Sequence, residues 1–443
     1  MSKDKSKVKL TPEEKKVRRK HRGKTAVKVI CIVLACIVGL YGIGAIVNVI
    51  GVNAAKNLAA SFDQVEYEDQ LVPYTDEDGD WVFVTDGEFK IMQLTDIHIG
   101  GGFLSFSKDE NALNAVAAMI QEEKPDLVVI TGDLVYPVPF QSGTFNNKTS
   151  AEIVVELLET LGVYWTLTFG NHDTEAYSYY DREYMAEFYE NGDYQYCLFT
   201  AGPDDVDGYG NQVIKVMNTD GVITQALFLF DSHSYTDGDI FGIAWKYDNI
   251  HDNQIEWYVE RLEAMNEYNQ EVLAELGLND TGLETVKSLA FFHIPLAEYK
   301  TAWEEFAANG YEDTEDVQYN FGLLGETGRL VYSGMYDDNV FETFLEYGST
   351  QAVFCGHDHY NNFSITYKGI ELVYGYSVDY LAYIGINKEG SQRGCTIITT
   401  YTDGTYETEH YNLYSGRYTL PAGFSDNITM QFEEYSFQYT EDE

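Results

Sequence analysis

Short apolar segments that each end in a turn rich in Gly, Asp, Asn and His limit the possible folds of this chain more than any other feature. The predicted strands are 89–94, 127–130, 164–169, 226–230, 289–292 and 352–354. Helical patterns separate them, such as the stripe Ala112, Val116 and Ile120 and the segments 153–161 and 253–276. Buried strands that alternate with helices are typical of an α/β sandwich whose ligands bind in the loops after strand ends.

Two later segments, 363–373 and 394–401, alternate in polarity around turns. This pattern is typical of antiparallel strand pairs. The fold is therefore expected to contain antiparallel as well as parallel strands.

An apolar segment, 29–52, divides the chain into two parts of opposite charge. It carries no charged residue and, as a helix, is long enough to cross about 30 Å of hydrocarbon. Residues 1–28 carry a net charge of +9 and the remainder carries −53. A basic arm before the segment predicts a single-pass plasma-membrane protein with a cytoplasmic N-terminus and an extracellular domain. A cleaved signal peptide is the alternative, although the apolar run exceeds the usual ~7–15 residues and lacks a clean small-residue cleavage site.

Composition predicts one large extracellular domain and excludes some partners. The predicted parts are a basic cytoplasmic arm (1–28), a transmembrane signal anchor (29–52), an acidic tether (53–80), a globular domain (81–432) and an acidic tail (433–443). Three cysteines, Cys197, Cys355 and Cys395, lie outside the apolar segment and form no C-x-x-C pair, so no disulfide framework is expected. The acidic domain argues against nucleic acid as a structural partner. The sequence does not indicate the oligomeric state.

Five of the nine histidines fall directly after predicted strands. The loops "TDIHIG", "TGDLVY", "FGNHD", "FHIPL" and "CGHDH" contain Asp96, His98, Asp133, Asn171, His172, Asp173, His293, His357 and His359. Asp96 and His98 lie two residues apart, so both can point to one side of extended backbone and bind one ion. Asp133 could give one oxygen to each of two ions. Imidazole and carboxylate suit manganese, iron and zinc alike, and two such ions would leave enough positive charge to hold a phosphate.

The ordered motifs D-x-H, G-D, G-N-H-D, H and G-H-x-H resemble those of the calcineurin-like metallophosphoesterase superfamily. The stretches "FLFDSHSY", "NQIEWY" and "FFHIPLAEY" are further similar to a fungal and plant branch filed beside purple acid phosphatases. The resemblance implies a sandwich of two mixed β-sheets flanked by helices, here after one transmembrane helix. It also implies two divalent metal ions (Mn, Fe or Zn) and hydrolysis of a phosphoester by a hydroxide that bridges them.

The resemblance implies a role for each residue of the motifs. The first ion would be held by Asp96, His98, Asp133 and His359, and the second by Asp133, Asn171, His293 and His357. His172 would be a catalytic residue that faces the substrate, where it could stabilise the phosphoryl group or protonate the leaving oxygen. Asp173 could orient His172 from behind.

Tyr136 in "GDLVY" occupies the position of the iron-binding tyrosine of true purple acid phosphatases, whose first motif lacks the histidine. Because His98 is present, Tyr136 would be a surplus ligand, and a role as pocket wall is the favoured interpretation.

These features predict a membrane-anchored, extracytoplasmic phosphomonoesterase. One alternative is a phosphodiesterase that acts on nucleotides, lipid headgroups or wall polymers. Another is a non-catalytic surface protein, against which the complete set of seven ligands argues. The natural substrate is not specified, because the pocket rim is expected in loops such as 136–149 and 174–191.

Overall fold

A computed structural model describes residues 11–239, 241–279, 281–326, 331–336, 338–383, 386, 393–421 and 424. The predicted acidic tail, 433–443, lies outside the described residues. The chain divides into two compact units, residues 1–50 and 51–443.

The helices and strands that the sequence pattern predicts occur in the predicted order, together with further elements. The helices are α1 (Pro12–Ala59), α2 (Phe106–Glu123), α3 (Asn147–Leu161), α4 (Arg182–Glu190), α5 (Asp252–Leu276), α6 (Ala297–Ala308) and α7 (Val340–Tyr347). The strands are β1 (Tyr74–Thr75), β2 (Trp81–Val84), β3 (Phe89–Leu94), β4 (Leu127–Thr131), β5 (Trp165–Thr168), β6 (Gln212–Met217), β7 (Ile223–Leu229), β8 (Ser288–Phe291), β9 (Val317–Phe321), β10 (Thr350–Cys355), β11 (Ser364–Tyr367), β12 (Ile370–Tyr374), β13 (Gly394–Thr400) and β14 (Tyr406–Asn412). Strand β6 escaped prediction because two buried polar residues, Gln212 and Lys215, interrupt its apolar run.

Among the described residues the strands form two sheets. One has nine strands in the order β1-β2-β6-β7-β8-β10-β12-β11-β9, and the other has five in the order β14-β13-β3-β4-β5. Strands β7, β8, β10 and β12 are parallel neighbours, as are β3, β4 and β5. The outer strands β9, β11, β13 and β14 pair antiparallel. Both sheets are therefore mixed, as expected, and the carboxyl ends of each parallel set meet at one edge.

Two core clusters follow from the alternation of side chains along the strands of the nine-stranded sheet. Leu289 and Phe291 of β8 pack in the cluster shared with the five-stranded sheet, α2 and α3. Ala290 of the same strand packs in the second cluster, with α5, α6 and α7. Successive side chains of a strand point to opposite faces, so this sheet is covered by the other sheet on one face and by helices on the other.

The apolar segment lies within α1. Thr11 and Glu14 cap its start, since the N–H of each donates to the side chain of the other. Leu34 and Ile37 are exposed. By length and composition, α1 is the one helix among the described residues that could cross a membrane.

The acidic segment 53–80 packs on the folded domain, although composition predicts a tether. Helix α1 continues to Ala59, and Ala55, Ala59 and Val65 are buried in the first core cluster. Strand β1 pairs with β2 at the edge of the nine-stranded sheet. Most acidic side chains of this segment are on its exposed face. The second compact unit begins at Gly51, whereas the sequence predicts a globular domain that begins at residue 81.

Candidate metal centre

Each side chain that the sequence singles out lies in a loop after the carboxyl end of a strand. The loops follow β3 (Asp96, His98), β4 (Asp133), β5 (Asn171, His172, Asp173), β8 (His293) and β10 (His357, His359). Since β3, β4 and β5 are parallel neighbours in one sheet and β8 and β10 in the other, the loops converge from both sheets.

The four residues that the resemblance assigns to the first ion form one buried group. The potential ligand atoms of Asp96, His98, Asp133 and His359 all lie within 4.8 Å of one another. His98 Nε2 lies 3.2 Å from Asp133 Oδ2, and His359 Nε2 lies 3.3 Å from Asp96 Oδ1.

The residues assigned to the second ion adjoin Asp133 through His293. His293 Nε2 lies 3.2 Å from Asp133 Oδ2 and 3.3 Å from Asn171 Oδ1. The His293 and His357 rings lie 5.1 Å apart, centroid to centroid. The structure therefore brings all seven predicted ligands together, with Asp133 Oδ2 between the two groups.

Unusual backbone conformations direct several of these side chains inward. Asp96, His98, Asp133 and His357 have φ between 50° and 77°, in the left-handed region that Asp, Asn and His tolerate better than other side chains. Backbone contacts stabilise these conformations, since the N–H of His98 donates to the Asp133 carbonyl and the N–H of His357 donates to Asp96 Oδ2, both at 3.1 Å.

Two glycines allow the loops to approach so closely. A Cβ on Gly170 would overlap Asp133 Oδ1 and the Asp133 amide nitrogen. A Cβ on Gly356 would overlap the Thr95 hydroxyl and approach Asp96 Oδ2. The glycines of G-N-H-D and G-H-x-H are therefore needed for space.

The chemistry of this group fits bound cations. Asp96 Oδ1 is buried and has no hydrogen-bond donor among the described residues. Burial lowers the pKa of His293, but Asp133 outweighs it and raises the pKa to about 9. Burial raises the pKa of Asp133, but His293 and His172 bring it well below its ordinary value. Burial and His293 lower the pKa of His357, leaving the neutral imidazole that binds metal.

One residue of the site, Asp379, was missed by the sequence analysis. It is buried in the loop after β12, and its Oδ1 and Oδ2 lie 3.3 Å from His98 Nδ1 and His359 Nδ1, respectively. Burial raises the pKa of Asp379, but these two histidines hold it well below its ordinary value. The signal in the sequence was the stretch "GYSVDY", which contains Gly, Ser and Asp directly after β12.

His172 is oriented by a different carboxylate from the one expected. Its Nδ1 lies 2.7 Å from Glu175 Oε1, and its side chain is 25% exposed. Asp173, expected to orient His172, instead accepts hydrogen bonds from the backbone N–H groups of Asp133, Val135 and Gly170. Burial, followed by the charge of Asp133, raises the pKa of Asp173 to about 6. The contacts of Asp173 therefore shape the ligand loops.

Tyrosine rings surround the group. Tyr136 lies 5.0 Å from the His98 ring and 4.8 Å from the His172 ring, Tyr247 lies 4.3 Å from His357, and Tyr383 lies 4.3 Å from His359. The Tyr136 hydroxyl donates to Gln141 at 2.9 Å. Burial, with Asp379, raises the pKa of Tyr136 above its ordinary value. These contacts support a role as pocket wall.

Comparisons with known proteins find several relatives of this chain by sequence. Relatives include a protein of Arabidopsis thaliana named "Probable inactive purple acid phosphatase 28", 27% identical over 68% of this chain and 73% of its own length. "Phosphatase DCR2" of Saccharomyces cerevisiae is 29% identical over 66% of this chain and 48% of its own length.

Among solved structures, a dimetal phosphatase from Danio rerio matches with a TM-score of 0.46 and 12% identity, over 73% of this chain and 96% of that one. The family model for calcineurin-like phosphoesterases matches residues 89–361, which include all seven predicted ligands. This chain therefore belongs to the calcineurin-like phosphoesterase family.

Proposed function

We propose that this protein is a membrane-anchored, extracytoplasmic phosphoesterase with two divalent metal ions, and that it hydrolyses phosphomonoesters. One observation carries the proposal. Seven side chains from five loops converge on a buried group with Asp133 Oδ2 at its centre, 3.2 Å from both His98 Nε2 and His293 Nε2. Burial of charged side chains costs free energy unless they are paired or bind a cation. A buried group of this kind is therefore expected to serve a function such as metal binding.

Each side chain has a defined task in this proposal. Asp96, His98, Asp133 and His359 would hold the first ion, and Asp133, Asn171, His293 and His357 the second. When bound, two divalent ions supply Lewis acidity that activates a water molecule and stabilises charge on the phosphoryl oxygens.

His172 is the best-placed proton donor. Glu175 engages Nδ1 of its ring at 2.7 Å, and the Tyr235 hydroxyl donates to the same carboxylate oxygen at 3.1 Å. Within the described part of the chain no hydrogen bond engages the other ring nitrogen, Nε2, and the partly exposed side chain is accessible to substrate. His172 would protonate the leaving oxygen or donate a hydrogen bond to the phosphoryl group.

The names of the relatives raise the alternative of a non-catalytic surface protein. The Arabidopsis relative is named as inactive, whereas the yeast relative is named as a phosphatase. This chain has all seven ligands, His172 and the carboxylate partner Glu175, and we therefore favour an enzyme.

The decisive experiment compares hydrolysis of p-nitrophenyl phosphate and bis-p-nitrophenyl phosphate by the full-length chain loaded with Mn²⁺ or Zn²⁺. We expect the monoester to be hydrolysed faster, and His172→Ala to lower kcat by about 10²–10⁴-fold while metal content is retained. His251→Asn is the matched control, because His251 lies outside the cluster and Asn preserves its place at the start of α5. Faster diester hydrolysis would support the phosphodiesterase alternative, and no hydrolysis of either would support the non-catalytic one.

The proposed anchor and orientation have their own test. Alkaline carbonate should leave the full-length chain in the membrane fraction, and protease added to intact cells should remove the domain while sparing residues 1–28. Recovery of the domain in the soluble fraction would instead indicate a cleaved signal peptide.

A further inference from the structure

We propose that Asp379 is a positioning residue that holds His98 and His359 with their Nε2 atoms directed at the first ion. The inference rests on the proposal that the cluster binds two ions. Asp379 lies outside the five ligand loops and reaches them from the loop after β12. Its two carboxylate oxygens each contact one imidazole, at 3.3 Å.

The two ring nitrogens of a histidine ligand have different partners. A histidine that binds metal through Nε2 carries its proton on Nδ1, and the partner of that proton sets the tautomer and the ring orientation. Neither His98 Nδ1 nor His359 Nδ1 has a well-aligned hydrogen-bond partner among the described residues. The Asp379 oxygens lie 3.3 Å from these two nitrogens and are the acceptors within reach of an Nδ1–H. The opposite nitrogens already face carboxylates, Asp133 for His98 and Asp96 for His359.

The carboxylate of Asp379 is itself held in place. Its Oδ1 accepts from the backbone N–H groups of Leu381 and Ala382 at 2.6 and 2.7 Å, and its Oδ2 accepts from that of Tyr383 at 2.6 Å. The N–H of Val378 donates to the Thr95 carbonyl at 3.1 Å, directly before Asp96. Asp379, in a loop of the nine-stranded sheet, is therefore held rigidly against the loop after β3 of the five-stranded sheet.

The second ligand set has a different partner. His293 Nδ1 lies 2.8 Å from the backbone carbonyl of Thr131, a neutral acceptor that no side-chain substitution removes. Substitution of Asp379 should therefore weaken the binding of one ion and leave the other unchanged. This selective loss distinguishes positioning from a general effect on folding.

The test uses Asp379→Asn in the full-length chain. An amide has one acceptor oxygen, so it cannot serve both imidazoles and the three backbone N–H groups. Asp239→Asn is the matched control, because Asp239 is also buried and accepts from backbone N–H groups of its own turn, those of Ala244 and Lys246, without contacting a predicted ligand. Mn²⁺ and Zn²⁺ binding to the metal-free chains is measured by calorimetry, with ion content by elemental analysis.

We expect Asp379→Asn to bind one ion about 10–100-fold more weakly and the other as in the wild type, and Asp239→Asn to bind both normally. Wild-type affinity for both ions in Asp379→Asn overturns the inference. A wild-type chain that binds fewer than two ions overturns both this inference and the two-ion proposal, so the two failures are distinguishable.

A second measurement does not depend on the folding of the variant. In the zinc-loaded wild-type chain labelled with ¹⁵N-histidine, His98 and His359 should carry their protons on Nδ1 and bind zinc through Nε2. A spectrum in which either ring binds zinc through Nδ1 overturns the inference.

Discussion

The two sheets contribute different chemistry to one site. Loops of the five-stranded sheet supply every oxygen ligand that the resemblance assigns, Asp96, Asp133 and Asn171, together with His98 and the proposed catalytic His172. Loops of the nine-stranded sheet supply imidazoles, His293, His357 and His359, and the supporting carboxylate Asp379.

The difference shows that neither sheet alone holds a complete set of ligands. Asp133 Oδ2 is 3.2 Å from one imidazole of each sheet. Hydrogen bonds also cross between the sheets close to the group, from His357 N–H to Asp96 Oδ2 and from Gln93 Nε2 to the Cys355 carbonyl. The candidate metal centre is therefore formed at the contact between the sheets.

Replacement of the shared carboxylate should break this arrangement most severely. Asp133→Ala removes the oxygen common to both ligand sets, so we expect both ions to be lost. Activity should then fall by more than the ~10–100-fold that is typical when only an outer partner of a ligand is lost. Elemental analysis and kcat/KM for p-nitrophenyl phosphate measure the two effects, and retention of either ion at wild-type affinity would contradict a shared role.

Crowding of the same carboxylate should have a smaller effect. In Gly170→Ala, the new methyl group overlaps Asp133 Oδ1 and the Asp133 backbone nitrogen, and no rotamer change can move the backbone atom away. We expect about 1–3 kcal/mol of lost stability together with weaker metal binding, measured by urea unfolding and calorimetry. Gly87→Ala is the control, because Gly87 is exposed and its Cβ would make an ordinary contact with the Thr85 hydroxyl.

Metal removal should loosen the contact between the sheets. Ions that bind the folded chain alone stabilise it by about 2.7 kcal/mol when the free ion is at 100 times Kd. A chelator should therefore lower the Tm of the wild type, measured by calorimetry, and leave that of Asp133→Ala unchanged. An equal decrease in both proteins would show that the effect does not arise at this site.

A contact between the sheets away from the metal centre gives a pH-dependent comparison. His410 of β14 in the five-stranded sheet packs on Phe321 of β9 in the nine-stranded sheet, with 4.4 Å between ring centroids. Both of its ring nitrogens are buried without hydrogen-bond partners among the described residues, and burial lowers its pKa to about 3.

In the unfolded chain His410 therefore binds a proton near pH 6.5, whereas in the folded chain it does so only near pH 3. The free energy of unfolding is therefore highest with respect to His410 above pH 6.5 and decreases as the pH falls toward 3. At pH 5 this decrease amounts to at most about 2 kcal/mol. Urea unfolding at pH 7.5 and pH 5 should show a smaller loss of stability in His410→Leu than in the wild type, and equal losses would refute this assignment.

The sequence alone determined the strand ends and the residues in them. Each ligand loop follows an apolar strand, and polar residues at the end of a buried strand are readable without a structure, as "TGDLVY" after β4 shows. The elements with interrupted patterns were missed, such as β6 with its buried Lys215, because periodicity records burial only where the buried side chains are apolar.

Tertiary structure alone decided which side chains support the ligands. Asp379 comes after a strand that carries no predicted ligand, and its role depends on the pairing of β12 beside β10. Glu175, rather than Asp173, contacts the His172 ring, because the backbone turn after β5 sets the direction in which each carboxylate points. The acidic segment 53–80 packs on the domain, since its few apolar residues face the core. Sequence records residue types and spacing, whereas contacts between distant segments depend on sheet order and loop direction, which only the folded chain defines.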